Sequence, residues 1–165
     1  MDDNLVNEYT TDQIVAVFAH EFAHARYNHQ IKSMPFAFLR TVISIAALGI
    51  LVNFTQPFTA FGFREVNFFF AFSLISIISW PVSAIFDLIS NHLSRKYEYQ
   101  ADEFAAKEGY GTSLIDALKK LCRDSLTDLN PHPLVVKLTY SHPTLSQRID
   151  AINRITENGA ISLRP

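Results

Sequence analysis

The apolar positions along this chain change rhythm twice. From Thr10 onward, Ile14, Val15, Phe18, Phe22 and Ala25 recur at helical spacing, and Thr10 followed three residues later by Gln13 fits a capping box. The pattern predicts an amphipathic helix over about residues 11–30. Periodicity then gives way to continuous apolarity. "PFAFLRTVISIAALGILVNF" at 35–54 carries one charge, Arg40, near one end where a long side chain can snorkel to an interface. After Pro57 and Gly62, which suit a turn, "VNFFFAFSLISIISWPVSAIF" fills 66–86 with no charge at all and should kink at Pro81. Runs of this length fit two transmembrane spans better than a buried hairpin of a soluble protein, and two spans return the chain to the membrane face it left.

Helical rhythm resumes after the second run. Leu93, Tyr97, Ala101, Phe104 and Ala105 share one stripe, and Gly109 suits the end of that helix. A further helix starts near Ser113, with Leu114, Leu118, Leu121 and Cys122 on its apolar side. "DLNPHPL" reads as a proline-rich loop, and Leu145, Ile149, Ile152 and Ile155 give a last helix ending near Asn158 and Gly159. The expected fold is an all-α integral-membrane protein in three parts. Residues 1–34 form the first helix region, 35–88 a two-span transmembrane hairpin, and 89–165 a helical C-terminal region.

Composition changes this picture only at its edges. The chain has 165 residues and a net charge of -2, and its basic residues are scattered, which excludes the basic stripe of a nucleic-acid binder. Arg26 and Lys32 precede the first span and Arg95 and Lys96 follow the second, whereas the connecting loop holds only Arg64. That bias puts both termini on the cytoplasmic side. The start, "MDDNLVNEYTTDQ", has neither the basic nor the apolar region of a secretory signal. Cys122 is the single cysteine, so it forms no internal disulfide, has no CxxC partner, and reads as a small core residue facing a reducing compartment.

The chemistry sits in "FAHEFAHARYNH" at 18–29. His20 and His24 lie one turn apart on one helix face, so both imidazoles can reach a single Zn2+, and Glu21 is one step around, able to act on a water but not to ligate. The bland alternative is a polar helix face that happens to carry these residues. A third ligand six residues after His24 would make a metzincin, but that position is Gln30. His29, five residues on, stands about 500° round a continuous helix and some 140° off the metal-binding face, which makes it a capping or interfacial histidine. The remaining ligand must come from far along the chain, and the hairpin is a device for bringing it. Glu98 and Asp102, four apart on the next helix, can supply the carboxylate of a His2Glu site and an acceptor for the second N–H of a zinc-bound histidine. A solvated charged face is the competing explanation for that pair.

"VAVFAHEFAHARYNH", "SRKYEYQADEFA" and "NPHPLVVKLTYSHPTLSQRI" together resemble the type I CAAX prenyl proteases, membrane-embedded zinc endopeptidases of the gluzincin type, in the same order and with two spans between the first two blocks. The HtpX-type membrane proteases look like relatives. The resemblance implies His20, His24 and Glu98 as ligands of one Zn2+ per chain, Glu21 as general base, and Asp102 behind the ligands. It further implies that His142, in the SHP segment, lies near the metal, where it can donate to the oxyanion of peptide hydrolysis. It also implies that Arg148 lies close to the site's carboxylates. From the residues alone His142 is a loop histidine, Arg148 a surface residue and His132 a structural one. The implied partners are the lipid bilayer, of a bacterial inner membrane or the endoplasmic reticulum, and a polypeptide substrate, prenylated or not. That family carries further spans and a substrate-binding edge strand ahead of the catalytic helix, so the chain looks like its C-terminal part. The rival expectation is a zinc-binding membrane fragment that lacks the cleft wall and has no activity of its own.

Overall fold

A computed structural model describes residues 8–162; residues 1–7, which hold most of the polar start, lie outside the described residues. The described residues form helices joined by turns and loops, with no strand among them. Among the described residues eight α-helices follow in order: α1 Thr11–Arg26, α2 His29–Val52, α3 Gln56–Ala60, α4 Phe68–Ile78, α5 Trp80–Ala105, α6 Gly111–Asp124, α7 Pro133–Thr139 and α8 Leu145–Ser162. The chain divides into two compact units, one of Met1–Gln30 with Asn91–Pro165 and one of Ile31–Ser90.

The first unit is built on small residues. Ala16, Ala19, Ala105 and Ala106 lie in its core with Leu114, Ile115, Leu118 and Ile152, and Leu145 and Ile149 pack against them. Alanine on facing helices lets backbones approach closely, and α6 packs against both α1 and α8. α1 opens as expected, with Thr10 accepting from the Gln13 amide at 3.3 Å while Gln13 accepts in return at 3.0 Å. Glycine matters at two positions. Gly109 has φ 89° in the wide turn Ala106–Tyr110, a left-handed conformation that costs other residues. A Cβ on Gly111 would lie 2.8 Å from Thr156 Oγ1 and 3.2 Å from Ile152 Cγ2, so a side chain there would push α8 away.

The second unit turns its apolar residues outward. α2 has a mean hydropathy of 2.0 over its most apolar stretch, none of which is buried, and it is long enough to cross a membrane. α4 and α5 together pass the same test with a bend of 51° between them. The expected kink is therefore present: the break falls at Ser79, and Pro81 sits in the first turn of α5, where a missing N–H costs least. Within this unit Phe58 and Ala71 are fully buried, and Phe58, Phe61 and Phe63 gather around Phe70 at the loop end.

Four expectations need correction. The first helix does not run to residue 30. It ends at Arg26, Asn28 takes φ 53°, and α2 starts at His29, because one left-handed residue re-aims the chain without any proline or glycine to announce it. Pro35 does not begin its helix; it lies inside α2, which starts six residues earlier at His29, and the loss of one N–H is tolerated there. Arg40 does not stand alone, since its Nη1 donates to Asp87 Oδ1 at 2.7 Å. The last helix passes Asn158 and Gly159 and stops at Ser162, in keeping with the cost of only about 1 kcal/mol for a helical glycine. In the proline-rich loop, Pro133 begins α7 and His132 caps it by accepting from the Leu134 amide at 3.2 Å, the structural role expected of that histidine.

Candidate metal centre

α1 presents His20 and His24 from consecutive turns, and α5 presents Glu98 and Asp102 from consecutive turns. The Nε2 atoms of His20 and His24 are 3.2 Å apart, and Glu98 brings Oε2 to 3.6 Å from the first and Oε1 to 3.6 Å from the second. These three residues are the only group of metal-type side chains among the described residues whose ligand atoms all fall within 4.8 Å of one another. Ligands at about 2.0 to 2.1 Å on a tetrahedron are spaced about 3.3 to 3.4 Å apart; the 3.2 Å between the two imidazole nitrogens fits one such edge, and Glu98 offers a different oxygen to each imidazole at 3.6 Å. His20 Nδ1 lies 3.0 Å from Asp102 Oδ1 and can only donate to a carboxylate there, which leaves the Nε2 lone pair pointing at the other two ligands. The donor set fits a divalent ion of the zinc class.

Arg148, from α8, ties the carboxylates together. Its Nε donates to Asp102 Oδ2 at 2.8 Å and its Nη2 to Oδ1 at 2.6 Å, while Nη1 lies 3.3 Å from Glu98 Oε2. A forked pair of this kind fixes orientation as well as charge. Burial works against the charged form of Asp102, but the bonds from His20 and Arg148 outweigh it and hold the carboxyl below its ordinary value. Glu98 is also opposed by burial and is held low by His142, Arg148 and His20. His142, on the loop before α8, places Nδ1 3.2 Å from Glu98 Oε1, and this bond raises its pKa against a smaller effect of burial. The side chain of His142 is 63% exposed, so its other nitrogen looks outward. The pKa of His24 is lowered, first by burial and then by the neighbouring His20.

The structure thus brings His20, His24, Glu98, Asp102, His142 and Arg148 together. Glu21 is exposed beside them and carries no hydrogen bond or ion pair to another described residue. His29 is the residue the spacing argument misplaced. It is buried, with Nδ1 3.1 Å from His24 Nδ1, Nε2 3.1 Å from Gln100 Oε1, and its ring stacked on Tyr97 at 4.3 Å. The missed signal was Asn28, since asparagine is, after glycine, a residue suited to the left-handed conformation that ends a helix. A cavity of about 450 Å3 opens beside the centre, with Tyr140, His142, Arg148 and Leu118 on its wall. Cys122 lines it half-buried rather than lying in the core.

The chain matches the profile of Peptidase family M48 over residues 1–156. It is 32% identical over 170 residues to CAAX prenyl protease 1 of Saccharomyces cerevisiae, covering 94% of this chain and 38% of that protein. With the CAAX prenyl protease 1 homolog of Dictyostelium discoideum the identity is 35%, over 92% of this chain and 36% of the relative. The crystal structure of S. mikatae Ste24p superposes with a TM-score of 0.83 at 31% identity, covering 92% of this chain and 38% of that one. The chain spans little more than a third of the length of these relatives. A sequence match of that extent and a shared all-helical membrane fold have one explanation in common descent: this chain belongs to peptidase family M48, a family of metallopeptidases.

Proposed function

We propose that this chain carries the catalytic site of a membrane-bound zinc endopeptidase of the CAAX prenyl protease type. The observation that carries the reading is the convergence of His20, His24 and Glu98, one ligand atom from each lying within 4.8 Å of the others. Two imidazoles and one carboxylate fill three positions, which is the ligand count of a catalytic rather than a structural site. A zinc ion held there would act as a Lewis acid toward a carbonyl and bring the pKa of a bound water to about 7.

The remaining roles fall to the chain's own residues. Glu21, exposed and unencumbered among the described residues, takes the proton of the attacking water and returns it to the leaving amine. His142 is anchored through Nδ1 on Glu98, and in its protonated form Nε2 carries a proton as well. That N–H donates to the oxygen on which charge develops, a contribution of about 3 to 4 kcal/mol where such donors have been removed. Asp102 keeps His20 in its ligating tautomer, and Arg148 keeps Asp102 in place.

The substrate class is a prenylated C-terminal CAAX segment, cut to release its last three residues; the names of the relatives support it. Quality-control proteolysis of unprenylated polypeptides is the other substrate class. The basic residues Arg26, Lys32, Arg95 and Lys96, against Arg64 alone in the connecting loop, support a site and termini on the cytoplasmic side of the membrane. One observation favours a second reading, a zinc-binding membrane element inactive by itself: no strand is present among the described residues to dock a substrate backbone. Zinc content, measured together with chelator-sensitive cleavage of a farnesylated and an unprenylated peptide, separates these. Farnesyl-dependent cleavage supports the first reading, and bound zinc without cleavage of either peptide supports the second. A chain that binds no zinc sinks both.

A further inference from the structure

Both histidines of the proposed ligand set hold something with the nitrogen that faces away from the metal position, and the two partners differ. His20 Nδ1 meets the carboxylate of Asp102 at 3.0 Å. His24 Nδ1 meets no carboxylate; it lies 3.1 Å from the Nδ1 of a third imidazole, His29. Two ring nitrogens at that distance share one proton, so one donates and the other accepts. His29 is then read from its far side. Its Nε2 lies 3.1 Å from Gln100 Oε1, an acceptor, so the proton of His29 sits on Nε2 and its Nδ1 offers a lone pair. The donor between the two rings is therefore His24 Nδ1–H, and the lone pair of His24 Nε2 is left facing His20 Nε2 and Glu98.

The surroundings of His29 fit a ring that must not turn. It is 3% exposed, stacks on Tyr97 with planes 10° apart at 4.3 Å, and has Tyr27 at 5.6 Å. Its position depends on the left-handed Asn28, which ends α1 and brings the first residue of α2 back against His24. A continuous helix would have carried it about 140° away.

We propose that His29 is the positioning residue of His24: it accepts the Nδ1–H of that ring and, held by Gln100 and Tyr97, fixes the tautomer and orientation in which His24 Nε2 ligates. It thus does for the second histidine what Asp102 does for the first, with a neutral acceptor in place of a charged one. The inference rests on the metal reading above and extends it to a residue outside the ligand set.

The test uses the full chain and two substitutions that separate hydrogen bonding from packing. His29→Phe keeps a flat ring against Tyr97 and loses both hydrogen bonds, whereas His29→Asn keeps an acceptor near the Nδ1 position and loses the stack. The expected result is zinc binding about 10- to 100-fold weaker for His29→Phe, the usual cost of removing such a partner, with His29→Asn within a few-fold of the parent. The reverse order, Phe binding as tightly as the parent and Asn weakly, would make His29 a packing residue and overturn the proposal. Ring nitrogen chemical shifts of the zinc-free chain give a readout independent of the metal. The proton of His24 is expected on Nδ1 in the parent and to move to Nε2 in His29→Phe. A parent chain with that proton on Nε2 overturns the proposal even if it binds zinc. A parent chain that binds no zinc sinks the metal reading, and the shifts then decide the His29 contact by themselves.

Discussion

The two units of this chain contain the same pair of side chains, an arginine with an aspartate, in opposite surroundings. In the unit of the metal centre, Arg148 forks onto Asp102, whose side chain is 1% exposed. In the hairpin unit, Arg40 reaches Asp87 at 2.7 Å with both side chains about half exposed. The difference follows from what each unit buries. The first packs alanines inside and keeps its polar groups either at the surface or in one connected network, so a charge there must be matched atom by atom. The second leaves phenylalanine and isoleucine outward, with Phe69 84% exposed, as a surface made for lipid would. Arginine is therefore a keystone in one unit and a local companion in the other, and substitutions should divide along the same line.

The largest effect is expected at the centre itself. Glu21→Gln should lower peptidase turnover about 100- to 10,000-fold, the usual share of a general base, while zinc content stays that of the parent. Measurable turnover near the parent rate in the zinc-loaded variant would remove Glu21 from the mechanism. Next comes Arg148→Ala, which leaves Asp102 buried without its partner and should cost about 3 to 5 kcal/mol of stability in denaturant unfolding of the zinc-free chain. A loss below about 1 kcal/mol would mean that the network is a surface feature after all.

Acid should reproduce part of that loss. Glu98 and Asp102 have pKa values lowered from their ordinary 4.5 and 3.8, so their contribution is complete above about pH 5 and disappears as pH falls through their folded values. His142 runs the other way. Its pKa is raised from the ordinary 6.5, so its bond to Glu98 contributes below that value and is lost as pH rises through its folded pKa. The zinc-free first unit should thus be most stable between these limits, and a thermal midpoint that is flat from neutral pH into the acid range would contradict the pairing. Ala16→Leu, at a fully buried position of the alanine core, should cost about 1 to 3 kcal/mol through overpacking. The smallest effect is expected for Arg40→Ala in detergent, about 0 to 1 kcal/mol, since an exposed pair contributes little. If Arg40→Ala were to cost as much as Arg148→Ala, the contrast between the units would fail.

Much of the arrangement could be read before any fold was known. The apolar runs at 35–54 and 66–86 mark the hairpin, and Pro81 marks its bend within two residues. The residues at 20, 24, 98 and 102 lie on faces that helical spacing alone defines. What was not legible was the company these faces keep. Arg148 reads as an ordinary exposed residue of an amphipathic helix unless the resemblance is invoked, because nothing local distinguishes it from Arg154 on the same helix. His29 falls on the wrong side of an unbroken helix; Asn28 tolerates the positive φ that breaks it but does not by itself require a break. Nor does the sequence name Asp87 as the partner of Arg40, because the two are 47 residues apart.

By itself, then, the amino-acid sequence determined which side chains share a turn and where the chain is apolar enough to enter lipid, because both depend on neighbours within a few residues. Only the tertiary structure decided that Arg148 closes on Asp102, that Glu98 meets the imidazoles of His20, His24 and His142, and that His29 stands behind His24. Those contacts join helices across long separations, and a residue's helical phase fixes the direction its side chain leaves the axis but not which other axis it will meet.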